Sequence, residues 1–257
     1  MSGLFLYKSF EMPKINDKRA DGFTLVELAI VMIIIGLLIG GVLKGQELIA
    51  NAQVTSTVAQ IKGIEAAALT FRDQYQALPG DMSRATVRLP NCTAPCVNGN
   101  GDDRLNIIAG ITAESEGENI QFWVHMNKAD VFSGVDGTTQ PSWGEGMPKA
   151  DVGGGFGVSF SSGDLVGATS AINARGGHYL SLKADPANVA STASHLRASI
   201  AARLDRKMDD GAPNSGTVRA AAAGSAANTV CVTGSSATAQ YNEATDPIGC
   251  ALYIRIQ

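Results

Sequence analysis

Residues 23–43 form an unbroken apolar block, which constrains the fold more than any other feature of the sequence. As a helix this block would be about 31 Å long, which matches the hydrocarbon core of a bilayer. Fourteen of its residues are Leu, Ile, Val or Phe. Their summed insertion free energy, about −6 kcal/mol, outweighs the roughly +3 kcal/mol that the acid Glu27 costs. The block therefore predicts one membrane-spanning helix.

The flanking residues predict how this helix is oriented. The preceding stretch is slightly basic, with Lys8, Lys14, Lys18 and Arg19 against Glu11, Asp17 and Asp21. A basic flank stays in the cytoplasm, so the chain after Lys44 is expected outside.

Three other interpretations of the block compete with a specialised anchor. A cleaved signal peptide normally has an apolar region of about 7–15 residues, and the Ala50-Asn51-Ala52 match lies beyond Lys44 and Glu47. A plain single-pass anchor fits the block but gives Glu27 no role. A buried core helix fits least, because the block is apolar on every face.

Glu27 separates these interpretations, because an ionisable residue inside a spanning segment is costly and by default marks function. It follows the Gly22-Phe23 junction, and residues 22–27 read GFTLVE. This run resembles the type IV prepilin processing signature, in which the cleavage junction, an acidic residue and an apolar block have a fixed spacing. The chain thus looks similar to type IV pilins and type II secretion pseudopilins.

The resemblance implies a processing route and a set of partners. Prepilin peptidase would cut between Gly22 and Phe23 and methylate the new amino terminus of Phe23. Glu27 would pair with the charged amino terminus of a neighbouring subunit, as a carboxylate in lipid requires a counter-charge. The implied partners are other pilin subunits, the peptidase, the inner-membrane assembly machinery and the lipid bilayer. The leader is long for this family, and Met12 offers an alternative start.

The helix is predicted to continue beyond the block to residue 78. Apolar residues recur there at steps of three and four: Val54, Val58, Ile61, Ile64, Ala68, Phe71, Tyr75 and Leu78. Pro79-Gly80-Asp81 is expected to end the helix. The predicted organisation is a leader at 1–22, a transmembrane half at 23–43, an amphipathic half at 44–78 and an extracytoplasmic head at 79–257.

The head is predicted to combine helices with an antiparallel sheet. Helices are expected at 113–132 and from Asp185-Pro186 to Gly211. The expected strands are Gly157–Phe160, His178–Leu182, Thr217–Ala221, Thr229–Thr233 and Leu252–Ile256. In the last strand, Leu252, Ile254 and Ile256 should face inward, and Tyr253 and Arg255 outward. With the resemblance, the expected fold class is α+β: a pilin fold whose long N-terminal helix packs on the sheet.

The four cysteines form two sequence-near pairs, Cys92/Cys96 and Cys231/Cys250. An even count in an exported chain indicates disulfides. Four cysteines permit three connectivities, and the one that forms both local disulfides is favoured.

Several motifs suggest chemistry only weakly. Asn98–Asp103 is similar to a calcium loop, but Asp103 replaces the required glycine and Ala109 the final glutamate, which favours a surface turn. Asp205, Asp209 and Asp210 could bind a cation, but their position near a predicted helix C-terminus favours a solvated turn that ends at Gly211. Gly153–Gly157 lacks the Lys-Ser/Thr of a phosphate loop and is interpreted as a flexible loop.

No catalytic, metal or cofactor site is predicted. His125, His178 and His195 lack metal-ligand spacing, and no nucleophile or acid pair stands out. Enzyme activity is therefore not expected.

Basic residues concentrate on one predicted helix: His195, Arg197, Arg203, Arg206 and Lys207. Such a face can attract nucleic-acid phosphate, but the interleaved acids and a net charge of −4 make nucleic acid an unexpected partner.

The sequence favours a structural subunit of a type IV pilus-like filament, located in the inner membrane with a periplasmic head and then in the filament. The large head and the lack of a proline after the membrane half favour a minor or specialised pilin. A type IV pilus, a type II secretion pseudopilus and a competence filament remain open. The alternative is a membrane-tethered or secreted extracytoplasmic binding protein with a pilin-like N-terminus.

Overall fold

The computed structural model of the chain describes residues 23–105, 117–161, 175–184, 196–222, 230–234 and 239–256. Its helices are α1 (Leu25–Tyr75), α2 (Ala85–Arg88), α3 (Glu118–Lys128) and α4 (Ala198–Met208). Its strands are β1 (Gly155–Ser161), β2 (Gly177–Lys183), β3 (Leu196–Arg197), β4 (Val218–Ala222), β5 (Val232–Thr233), β6 (Gln240–Tyr241) and β7 (Ile248–Ile256). The fold class is α+β, and the chain divides into two compact units, Met1–Glu47 and Leu48–Gln257.

The first part of α1 is apolar and exposed. Every residue from Phe23 to Lys44 is exposed, with Leu25 at 87% and Leu37 at 78%. Among the described residues, α1 is the one helix whose length and composition suit a membrane crossing. This exposed surface needs a lipid or protein environment, because soluble monomers rarely expose so large an apolar patch.

The second part of α1 contributes one face to the core of the second unit. Its buried residues follow helical spacing: Val54, Thr57, Ile61, Ile64, Ala67, Ala68 and Phe71. The apolar ones share a hydrophobic cluster with the sheet, which includes Leu180, Leu252 and Ile254. The predicted amphipathic stripe and the observed buried face therefore coincide over this stretch.

The predicted end of α1 at residue 78 is wrong, because the helix ends at Tyr75. Gln76 adopts a left-handed conformation with φ of 50°, which stops helical propagation. Arg88 Nη2 donates to the free carbonyl oxygen of Tyr75 at 2.6 Å. Leu78 is buried as predicted, but it lies in the turn that follows the helix.

The main sheet has five antiparallel strands centred on β7. The order is β1-β2-β7-β3, and β4 also pairs with β7. Leu182 pairs with Leu252 and Leu180 with Ile254 across the β2–β7 junction. Strands β5 and β6 form a separate two-stranded sheet, in which Val232 pairs with Tyr241.

Both faces of the sheet carry buried side chains. Leu252, Ile254 and Ile256 face the hydrophobic core as predicted, and Arg255 is exposed. The outward placement of Tyr253 is wrong, because its side chain is only 7% exposed. Tyr179 and Ser181 on β2 are also buried, at 2% and 1% exposed, so part of this second face is covered, whereas Arg255 on the same face is exposed.

Element boundaries in the head differ from several predictions. The helix expected from Asp185-Pro186 begins at Ala198, and residues 185–195 lie outside the described part of the chain. Leu196 is in strand β3 instead, where it pairs with Cys250. Asp246 caps α4 from a distant turn, because its Oδ1 accepts the N–H of Ser199 at 2.8 Å.

The other differences are smaller. Helix α3 is shorter than predicted and ends before Asp130, whose φ is 56°. The expected start at 113–116 and residue Thr229 of the fourth predicted strand lie outside the described residues. The flexible loop interpreted at Gly153–Gly157 is partly wrong, because β1 begins at Gly155. Elements α2, β3 and β6 were not predicted.

Candidate functional site

The start of α1 carries a reciprocal hydrogen-bonded cap formed by Thr24 and Glu27. Glu27 Oε2 accepts the backbone N–H and the hydroxyl of Thr24, each at 2.9 Å. In return, Thr24 Oγ1 accepts the backbone N–H of Glu27 at 3.2 Å. Such an arrangement satisfies N–H groups that a helix start otherwise leaves unpaired. A negative side chain here also opposes the positive end of the helix dipole.

This cap occupies only part of the Glu27 carboxylate. Within the described residues, Oε1 accepts no hydrogen bond, whereas Oε2 accepts two. The second oxygen can therefore accept from another cation while the cap remains in place. The cap was not predicted, although the Thr-x-x-Glu spacing that signals it is present at Thr24–Glu27.

The predicted processing junction lies at the edge of the described chain. Gly22 and the leader at 1–22 lie outside the described residues. Phe23 is the first described residue, and its side chain is 90% exposed. The predicted methylation position is thus accessible, and it stands four residues before Glu27.

Residues 17–43 match the family model of the prokaryotic N-terminal methylation motif. No curated protein and no solved structure matches the chain. The match covers the junction, Glu27 and the apolar first part of α1, and it is the type IV pilin and pseudopilin signal. The class to which this signal belongs is structural rather than enzymatic. The chain thus carries the signal of a type IV pilin-like prepilin peptidase substrate that is membrane-anchored and extracytoplasmic.

Two disulfides are present in the second unit. Cys92 is bonded to Cys96, and Cys231 to Cys250 on β7. These are the two local pairings that the sequence favours. The second bond connects the start of the small β5–β6 sheet to the central strand of the main sheet.

The loop at Asn98–Asp103 is exposed but wraps around a buried carboxylate that the sequence did not reveal. Asp81 accepts the N–H groups of Gly101, Asp102 and Asp103 at 2.7, 3.1 and 2.8 Å. Glu118 Oε1 accepts the N–H of Asn100 at 2.9 Å. Carboxylate oxygens of Asp81, Asp102 and Glu118 lie within 4.8 Å of one another. Burial raises the pKa of Asp81, and the three hydrogen bonds from the loop backbone oppose this shift.

The interpretation of Asp205 as part of a solvated turn is wrong. Its side chain is fully buried, and Oδ2 accepts the Tyr241 hydroxyl at 2.8 Å. Burial raises its pKa to about 6, against the lowering effect of the bond from Tyr241. Asp209 and Asp210 lie nearer the surface and accept from the backbone of the turn after α4, at Thr217 and Ala212 respectively. The three acids therefore organise this turn.

The histidines do not come together. His125 is fully buried, its Nδ1 accepts the N–H of Gly80 at 2.9 Å, and Nε2 lies 2.8 Å from the carbonyl oxygen of Val97. His178 Nε2 accepts the N–H of Leu105 at 3.3 Å. His195 lies outside the described residues.

The basic side chains of α4 contact other parts of the same unit. Arg203 donates to Asn51 at 3.2 Å, and Lys207 donates to Thr55 at 2.7 Å. Arg206 forms an ion pair with Glu243. These contacts attach α4 to α1 and to the β6–β7 connection, and they leave fewer cations available for a polyanion.

Proposed function

We propose that the chain is a structural subunit of an extracytoplasmic type IV pilus-like filament. In this proposal prepilin peptidase cleaves between Gly22 and Phe23, and the subunit assembles through α1 from the inner membrane. The proposal rests on one observation: the methylation motif coincides with the exposed apolar start of the longest described helix. The size of the head favours a minor or specialised pilin.

The geometry at Glu27 supports a role in assembly. A carboxylate within an apolar segment costs roughly 3 kcal/mol on the insertion scale, and the local cap recovers about 1 kcal/mol. An anchor alone therefore gains by losing this acid. In a filament, the free oxygen Oε1 would accept from the new ammonium group on Phe23 of a neighbouring subunit. Both charges would then be paired in an apolar environment, where an unpaired one is expensive.

The cap permits a test that separates helix capping from ion pairing. Glu27→Gln keeps a side chain that can form the capping box but removes the charge. Thr24→Ala removes the hydroxyl half of the cap, at about 1 kcal/mol, but keeps the charge. Glu27→Leu removes both. The measurement is the amount of each variant in sheared filaments, divided by the amount of processed protein in the membrane.

If Glu27 pairs with a neighbour, Glu27→Gln and Glu27→Leu fall at least about tenfold in the filament fraction, and Thr24→Ala stays near wild type. The membrane levels of processed protein remain similar for all four proteins. Equal incorporation of Glu27→Gln and wild type would reject the ion pair. Absence of wild type from every filament fraction would favour the alternative, a membrane-tethered binding protein.

A further inference from the structure

A second concentration of basic residues lies in the head, on strands β4 and β7 and just before β2. Arg175, Arg219 and Arg255 line one pocket with a volume of about 200 Å³, together with Tyr179 and Thr217. Arg219 is on β4 and pairs with Tyr253, two residues before Arg255 on β7. Because side chains alternate along a strand, Arg219 and Arg255 project from the same face of the sheet.

Arg219 is the unusual member of this group. Arg219 is only 9% exposed, and among the described residues none forms a hydrogen bond or ion pair with its guanidinium group. The pKa of Asp210 is lowered mainly by the hydrogen bonds that it accepts from Ser215 Oγ and from the N–H of Ala212, and to a smaller extent by the charge of Arg219. Buried guanidinium groups are normally paired, because burial of an unpaired charge is costly.

The other two arginines are held at the mouth of the pocket. Arg255 Nη2 donates to the carbonyl oxygen of Gly176 at 3.1 Å. Its side chain lies across Gly177, where a Cβ atom would approach Arg255 Nε to 2.9 Å, so a larger residue at 177 would displace the end of this side chain. The Tyr179 hydroxyl donates to the carbonyl oxygen of Arg175 at 2.7 Å and so positions its backbone. Both guanidinium groups belong to exposed residues and can meet a ligand from solvent.

One carboxylate near the pocket is committed to other groups. Asp209 Oδ2 accepts the backbone N–H groups of Thr217 and Val218 and the hydroxyl of Thr217. It therefore stabilises the pocket wall through these neutral donors. Three cations face a small cavity, and within the described part of the chain no carboxylate forms an ion pair with any of them.

We propose that this pocket binds a phosphate group, either free or carried as a monoester. Guanidinium groups match phosphate oxygens in paired, planar hydrogen bonds, and three of them suit a doubly charged anion better than a carboxylate. Arg219 would supply the buried contact, and Arg175 and Arg255 would close over the anion. This site is independent of the amino-terminal assembly segment.

The test uses the full chain in an uncharged detergent and measures its thermal midpoint as sodium phosphate replaces sodium chloride at constant ionic strength. Wild type is expected to become more stable with increasing phosphate, because a ligand that binds the folded state stabilises it. Arg219→Gln should show no such increase. In chloride it should be as stable as wild type or more so, because a buried charge that forms no ion pair among the described residues is gone. Glycerol 3-phosphate, added in the same way, distinguishes a free anion from a phosphate monoester.

Two further variants make the result decisive. Arg255→Gln changes an exposed residue and should weaken phosphate binding about tenfold or more without unfolding the chain. Arg84→Gln removes the same charge from an exposed position outside the pocket and should behave like wild type. No phosphate-specific stabilisation of wild type, or equal stabilisation of wild type and Arg255→Gln, would overturn the proposal.

Discussion

At the scale of single residues, His125 has the environment with the clearest consequence. It is fully buried, and its ring connects the turn after α1, through Gly80, to the chain after Cys96, through Val97. Burial lowers its pKa from 6.5 to about 4, although the bond to Val97 opposes the shift. The neutral ring accepts at Nδ1, and a proton there would break the bond from Gly80. His125 is therefore a base that folding keeps uncharged.

We expect the free energy of unfolding to fall as the pH is lowered from about 6.5 to about 4 because of His125. In this range the unfolded state binds the proton and the folded state does not, so the slope approaches about 1.4 kcal/mol per pH unit. Asp205 acts in the opposite direction, because its raised pKa of about 6 lets the folded state bind a proton first. The measurement is denaturant unfolding at several pH values for wild type and His125→Gln.

The difference in the free energy of unfolding between wild type and His125→Gln isolates the effect of the histidine, because the acids of raised pKa are present in both proteins. This difference should shrink steadily as the pH falls towards 4. Repeating the pair in an Asp205→Asn background removes the opposing slope and should make the loss in wild type steeper. A difference that stays constant with pH would show that His125 is not kept neutral by burial.

At the scale of elements, the Cys231–Cys250 disulfide connects the residue before β5 to the central strand β7. Its residues are 19 apart in sequence, whereas Cys92 and Cys96 are 4 apart. In the chain-entropy model a loop of this larger size contributes about 3 kcal/mol, and the short loop contributes less. We expect Cys231→Ala/Cys250→Ala to lose more stability than Cys92→Ala/Cys96→Ala. All four side chains are buried, so the two double variants are matched for cavity formation.

Denaturant midpoints of the two oxidised double variants provide the measurement. An equal loss, or a larger one for the short pair, would mean that local packing and not loop closure determines the effect.

The elements that sequence predicted well are those whose pattern is local and strong. The buried face of α1 from Val54 to Phe71 and the core-facing side of β7 follow directly from periodicity. Arg88 satisfies the carbonyl oxygen of Tyr75 at the end of α1. Asp246 caps the start of α4 and is 47 residues from Ser199, whose N–H it accepts. Such tertiary partners leave no signal in a sequence window.

The two candidate sites show the same contrast. The junction, Thr24 and Glu27 lie within a few residues and form one motif, which a sequence can reveal. The arginine pocket gathers residues from 175, 219 and 255, which only the pairing of β2 and β4 with β7 brings together. Tyr253 was placed outward for the same reason, because alternation does not show that a second face is covered.

At the scale of the whole molecule, the chain divides into two units of different character. The first exposes an apolar helix start from Phe23 to Lys44, and the second contains the sheet, both disulfides and the hydrophobic core. A compact head and an uncovered apolar helix are what a subunit needs if it is held first by lipid and then by copies of the same helix. The proposed function accounts for both units with one assembly route.

The most direct test of this account is the amino terminus of the protein in sheared filaments, measured by intact and peptide mass spectrometry. The account predicts a chain that begins at Phe23, carries one amino-terminal methyl group and lacks residues 1–22. The control is the same strain without active prepilin peptidase, in which the leader should remain and the filament fraction should lack the protein. An intact leader in cells with active peptidase, or a mature chain that begins at Gln53, would contradict the account.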